Sequence, residues 1–123
     1  VGDEVLKYVS ATISHRLRKT DLACRLGGEE FGVLLPGASL ERAISIAETI
    51  RKNIADVPYT RADKLIALSV SIGVSEYGQD GRDLESLYAV ADGHLYRAKA
   101  CGRNRIRSRE VMKNGELDLV LTD

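Results

Sequence analysis

Between residues 67 and 76 the chain alternates strictly, with Leu68, Val70, Ile72 and Val74 set against Ala67, Ser69, Ser71 and Gly73. A period of two places the first set on one face of a β-strand and the second on the other. Small residues on the second face leave room for a helix to pack close against it. Three other stretches repeat at helical spacing. Leu6, Val9, Ile13 and Leu17 line one face of a segment that Asp3 can cap, with Arg16, Arg18 and Lys19 complementing the dipole at its end. Leu40, Ala43, Ile44, Ala47, Ile50 and Ile54 form a second stripe behind Ser39, a good capping residue, with Glu41, Arg42, Glu48, Arg51 and Lys52 directed away. This helix is assigned a packing role only. The third stripe, Leu84, Leu87, Val90, Ala91, Leu95 and Ala98, follows Asp83 as its cap and stops at Gly102.

The connections are read from turn chemistry. Pro36-Gly37-Ala38 ends a strand, residues 58–64 form a polar loop, and residues 77–82 supply a glycine-rich turn. Asn104 to Ile106 forms a short final strand. His15 and His94 are surface or packing residues. Residues 110–123 form a tail, with a turn at Lys113-Asn114-Gly115-Glu116 and an added strand over residues 117–121.

The chemistry concentrates at Arg25-Leu26-Gly27-Gly28-Glu29-Glu30-Phe31. Apolar runs on either side, Leu22-Ala23-Cys24 and Phe31 to Leu35, predict two strands joined by a hairpin at the glycines. Glu29 and Glu30 repel each other there and are poor strand formers. A hard divalent cation repays that arrangement, since Mg²⁺ takes one or two carboxylates and completes its shell with phosphates. The alternative is a solvated turn with two surface acids.

Length and composition narrow the class. The chain has 123 residues, 44% hydrophobic and 29% charged, which suits one globular domain. Lys plus Arg equals Asp plus Glu, so nothing global points to nucleic acid or an acidic membrane surface. No apolar run is long enough to cross a bilayer, and no signal peptide is visible. Cys24 and Cys101 lie far apart without metal-type spacing and are read as reduced thiols of a cytosolic domain.

Gly27-Gly28-Glu29-Glu30-Phe31 resembles the name-giving motif of the GGDEF family of diguanylate cyclases, in its GGEEF form. Gly2-Asp3-Glu4-Val5-Leu6 resembles the segment opening the helix before the hairpin. Arg18-Lys19-Thr20-Asp21 resembles the RxxD inhibitory motif, and Leu68 to Val74 the next strand. Ala91-Asp92, Tyr96-Arg97-Ala98-Lys99 and Gly102-Arg103-Asn104 resemble the last helix and its exit. The resemblance covers residues 2 to 108 in order, so residues 1–109 are expected to be one GGDEF domain.

It implies an α/β fold, specifically an α+β sandwich like the nucleotidyl cyclase core and polymerase palm, with a mostly antiparallel sheet and flanking helices. It implies condensation of two GTP into cyclic di-GMP and two pyrophosphates at a homodimer interface, with two Mg²⁺ or Mn²⁺ per active site. Glu29 and Glu30 would be the catalytic and metal-binding residues. Asp3 would accept from guanine as well as cap its helix. Gly27 and Gly28 would let the backbone approach the nucleotide, and Lys99 and Arg103 would contact its phosphates. Arg18 and Asp21 would form a site inhibited by the product. The resemblance assigns the segment no nucleic-acid partner and no direct membrane contact, and implies a cytoplasmic location for a parent protein that an absent segment could anchor.

In the family, a central strand bearing a metal-binding Asp and an FKxxND stretch precede the point where this sequence starts. The central first strand is therefore expected to be absent from this chain, as in an incomplete record of a longer domain, unless another chain fills the gap. That departure keeps open a second reading, an inactive GGDEF module that senses GTP or cyclic di-GMP. A third is a purely structural dimerisation domain.

Overall fold

The computed structural model describes residues 3–27, 29–109, 111–113 and 116–118. Helix α1 (Asp3–Ser14) leads into the antiparallel hairpin of β1 (Leu22–Gly27) and β2 (Glu30–Leu34). Helix α2 (Leu40–Asp56) follows, then a second hairpin of β3 (Tyr59–Arg61) and β4 (Lys64–Ile66). Strand β5 (Ile72–Gly73), helix α3 (Leu84–Ala100) and strand β6 (Ile106–Arg107) come next, with β5 and β6 parallel. A last antiparallel pair joins β7 (Val111–Lys113) to β8 (Glu116–Asp118). Among the described residues the strands form four two-stranded ladders, three of them antiparallel, flanked by the helices.

Two apolar clusters share α2. In the first, Val5, Val9 and Ile13 of α1 meet Ile50 and Ile54 of α2, with Ala23, Phe31, Leu68 and Val70 packed against them. The buried stripe of α1 is thus Val5-Val9-Ile13, one residue ahead of the expected Leu6, which is only half-buried. In the second, Leu40 and Ala47 of α2 meet Val74 and Ile106, with Ile72 alongside. Ile72 and Val74 therefore face α2, and Gly73 between them faces α3. A Cβ built on Gly73 would lie 2.0 Å from the Ala91 carbonyl oxygen and 2.5 Å from the Leu95 nitrogen. Here glycine is demanded by close approach, and the β5–β6 pair is sandwiched between α2 and α3.

The caps predicted at Ser39 and Asp83 form, whereas the one predicted at Asp3 falls on a side chain outside the described residues. Ser39 accepts from the Arg42 N–H at 3.2 Å, and Asp83 from the Ser86 N–H at 2.7 Å. The start of α2 gains a further acceptor, since the Leu40 N–H donates to Glu76 Oε2 at 3.0 Å. Glu76 also receives Arg109, whose other guanidinium nitrogen reaches Asp80 Oδ2 at 2.9 Å. That Arg109 bond holds the Glu76 carboxyl below its usual range.

Several expectations need correction. Helix α1 ends at Ser14, so Arg16, Arg18 and Lys19 lie beyond it and no basic residue occupies its last turn. Residues 58–64 contain a strand pair rather than only a loop. Ala62 and Asp63 adopt φ of 51° and 64°, the left-handed turn pair that matches hairpin twist. The alternating stretch 67–76 is laddered only at Ile72–Gly73, because a strand is registered only where a partner backbone lies alongside. The final strand begins at Ile106, since Arg103 and Asn104 have positive φ and cannot continue an extended chain. Leu84, placed on the apolar face of α3, is 64% exposed. In the tail β8 covers the start of the expected strand, whereas residues 114, 115 and 119–121 lie outside the described set.

Gly73→Ala drives a methyl into the α3 backbone, and overpacking of that kind costs about 3 kcal/mol. Urea unfolding of the variant should show a lowered midpoint and an unfolding free energy smaller by that amount.

Candidate functional site

Strands β1 and β2 pair in regular register from Leu22↔Leu34 to Arg25↔Phe31, after which Gly27 pairs with Glu30. Leu26 is the extra residue, a bulge that sharpens twist at the turn. Gly27 has φ of 152°, which side-chain-bearing residues rarely adopt, and nothing lies within 4 Å of the position a Cβ would take. Conformation, not crowding within the chain, requires glycine here. Gly28 lies outside the described residues, as does the Asp3 side chain, although α1 begins at Asp3.

Glu29 stands exposed on the turn, and Glu30, the first residue of β2, is half-buried. The Tyr88 hydroxyl of α3 donates to Glu30 Oε1 at 2.7 Å. This hydrogen bond, and then the charge of Glu30, push the Tyr88 phenol above its usual value. Sequence reasoning missed Tyr88. Its only signal was an aromatic residue outside the apolar stripe of an amphipathic helix, and its partner is 58 residues away.

Lys99 and Arg103 bracket the end of the same helix. The Arg103 N–H donates to the Ala98 carbonyl at 3.0 Å and the Gly102 N–H to the Lys99 carbonyl at 3.4 Å. These are the paired bonds of a Schellman cap, with Gly102 at φ of 119° in the position that favours glycine. The chain then holds two more positive values, 62° at Arg103 and 48° at Asn104. Left-handed backbone costs about 1 kcal/mol or more for a residue such as arginine, and strain of this sort clusters at functional positions. Both cationic side chains are exposed, with no hydrogen bond or ion pair to another described residue. Tyr88 thus ties the acidic turn to the helix whose end lies between the two cations. No direct bond joins Lys99 or Arg103 to either glutamate.

Arg18 and Asp21 meet each other. The Arg18 N–H donates to Asp21 Oδ2 at 2.8 Å, and its guanidinium reaches Oδ2 at 3.4 Å and Oδ1 at 3.3 Å. The same guanidinium donates to the Pro36 carbonyl at 3.1 Å, linking the start of β1 to the end of β2. The Asp21 side chain is 1% exposed and that of Arg18 48%. In this conformation the arginine offers an open face while the carboxylate is engaged within the chain. The Arg18 backbone N–H, followed by its side chain, holds the Asp21 carboxyl below its usual range.

Two neighbouring carboxylates offer the hard oxygen donors that Mg²⁺ or Mn²⁺ takes, leaving the rest of the shell to water and phosphate oxygens. Among the described residues no group of three His, Cys, Asp or Glu side chains could hold a metal by itself. A groove of about 590 Å³ runs between α1 and the hairpin, lined by Leu6, Lys7, Cys24, Arg25 and Phe31 among others. None of Glu29, Glu30, Lys99 and Arg103 lines it. No described helix is long and apolar enough to cross a membrane.

Two titrations check this geometry. Glu30→Gln removes the charge that raises Tyr88, so ultraviolet titration should show its tyrosinate appearing at lower pH than in the wild type. Asp21 has a lowered folded-state pKa, so its contribution to stability is complete above the usual 3.8 and is lost as pH falls through the lowered value. The stability gap between wild type and Asp21→Asn should therefore close in acid, as followed by denaturant midpoints across pH.

Residues 1–105 match the family described as "Diguanylate cyclase, GGDEF domain". The chain is 44% identical over 107 residues to the uncharacterized protein YhcK of Bacillus subtilis, covering 85% of this chain and 30% of that protein. It is 41% identical over 108 residues to the response regulator PleD of Caulobacter vibrioides, covering 86% of this chain and 24% of that protein. The chain thus spans less than a third of the length of these curated relatives. Among solved structures, the GGDEF domain of PA1120 (YfiN or TpbB) from Pseudomonas aeruginosa superposes with a TM-score of 0.82 at 34% identity, covering 89% of this chain and 68% of that one. The active GGEEF domain of a diguanylate cyclase from Vibrio cholerae does so with 0.73 at 33% identity, covering 86% and 67%. The GGDEF domain of DgcB from Caulobacter crescentus, in complex with c-di-GMP, does so with 0.77 at 28% identity, covering 86% and 63%.

Proposed function

The chain belongs to the GGDEF family, and on that premise we propose that its parent protein is a diguanylate cyclase, joining two GTP into cyclic di-GMP with release of two pyrophosphates. The supporting observation is the Tyr88–Glu30 hydrogen bond, which couples the two-carboxylate turn to the helix that carries Lys99 in its last turn and is followed by Arg103. Anionic and cationic groups on one frame suit a metal-bound triphosphate.

Glu29 and Glu30 would hold the divalent ions, which when bound activate the attacking hydroxyl and stabilise the leaving oxygens. Lys99 would meet the phosphates as a point charge and Arg103 as a fork. Gly27, its Cβ position open, and Gly28 admit the nucleotide close to the backbone. Asp3 accepts from the guanine N1–H and N2–H₂ edge, which adenine lacks. Two such sites face each other in a homodimer, so that the 3′-hydroxyl of one GTP attacks the α-phosphorus of the other. Arg18, with its half-open guanidinium, and Asp21 bind the product as an inhibitor, a step that requires their mutual contacts to open.

A second reading has its own observation. The half-open guanidinium of Arg18 beside Asp21 also suits a module that binds GTP or cyclic di-GMP without turnover. Incubation of the full-length protein with GTP and Mg²⁺ separates the two. Cyclic di-GMP should accumulate, and Glu29→Ala should reduce its formation by about 100-fold or more. Nucleotide binding with no product in the wild type would favour the sensor and refute the cyclase.

A further inference from the structure

We propose that Arg51 of α2, a residue outside the acidic turn and the Lys99–Arg103 pair, is the positioning residue for Arg103. Three observations meet at this point. Arg103 and Asn104 both hold left-handed backbone, with φ of 62° and 48°, directly after the glycine that ends α3. Asparagine tolerates that region, and arginine does so only when its neighbours enforce it. The Asn104 side chain is held from across the fold, its Oδ1 accepting from Arg51 Nη1 at 2.9 Å. Arg51 is itself braced one turn back by Glu48, which accepts from its guanidinium, and its side chain is only 19% exposed.

The consequence runs through the backbone. The Schellman bonds fix where the chain leaves α3, and the Arg51–Asn104 bond fixes the second left-handed residue. Arg103 lies between two pinned points, so its side chain departs from the same end of the helix as Lys99. Without Arg51 the strained pair can relax toward ordinary φ, which re-aims Arg103 and leaves Lys99 in place. A helix assigned only a packing role thereby sets the geometry of the proposed phosphate-binding pair. The inference rests on the reading of Lys99 and Arg103 as triphosphate contacts.

The test uses the full-length protein and two probes, a GTP analogue with a methylene bridge between the α- and β-phosphorus, and GMP. Arg51→Ala should weaken the analogue about tenfold, the size expected for misdirecting one charged hydrogen bond, and leave GMP unchanged. Asn104→Ala should give the same loss, the double variant no further loss, and Arg51→Lys, which keeps a donor for Asn104, should recover part of it. Ile54→Val, which loosens the core face of the same helix, provides a variant of lowered stability whose affinity for both probes should stay within twofold. Equal loss for GMP and the triphosphate, additive losses in the double variant, or no loss at all would overturn the role of Arg51 with the proposed function intact. A wild type that binds neither probe would overturn both.

Discussion

At Gly73 a strand lies against a helix backbone with no room for a side chain between them. Gly73 lets α3 sit where any side chain would collide with the Ala91 carbonyl. The cationic part of the proposed site depends on that contact, because α3 carries Tyr88 near its start and Lys99 at its end. On the other face, Ile72 of the same two-residue strand and Val74 just after it pack with Leu40, Ala47 and Ile106, so α2 is fixed against the same short ladder. The helices thus share a reference plane only two residues wide. A contact from α2 to the exit of α3, such as Arg51 to Asn104, can hold a fixed length for that reason.

Much of this architecture was legible in the residue pattern. The alternation at 67–76 announced both faces correctly, with apolar residues toward α2 and Gly73 toward a close-packed helix. The stripe of α2 and the caps at Ser39 and Asp83 follow from local rules that tertiary packing left undisturbed. Other elements were hidden for physical reasons. Ala62 and Asp63 make a hairpin turn without glycine or asparagine, so residues 58–64 carried no signal beyond polarity. The shift from Leu6 to Val5 on α1 is a rotation of one position that sequence spacing alone does not resolve.

The site was legible in its residue types and not in its wiring. Two adjacent glutamates after two glycines stand out because they oppose strand formation. Arg18 and Asp21 stand three apart, and the turn that closes them on one another is a local event. Tyr88 and Arg51 could not be found in this way. Their partners, Glu30 and Asn104, lie 58 and 53 residues distant, and side-chain bonds at such separation leave no periodic trace.

The carboxyl-side exit of β6 has a different character from the strained turn that precedes it. Ser108 is buried, and Arg109 grips Glu76 and Asp80 beside the first turn of α2. A charged fork held by two acids makes this a fixed anchorage point on the chain. A rigid extension joined here would start from a defined origin and heading, so its movements would be passed to the amino end of α2 as torque instead of being lost in slack.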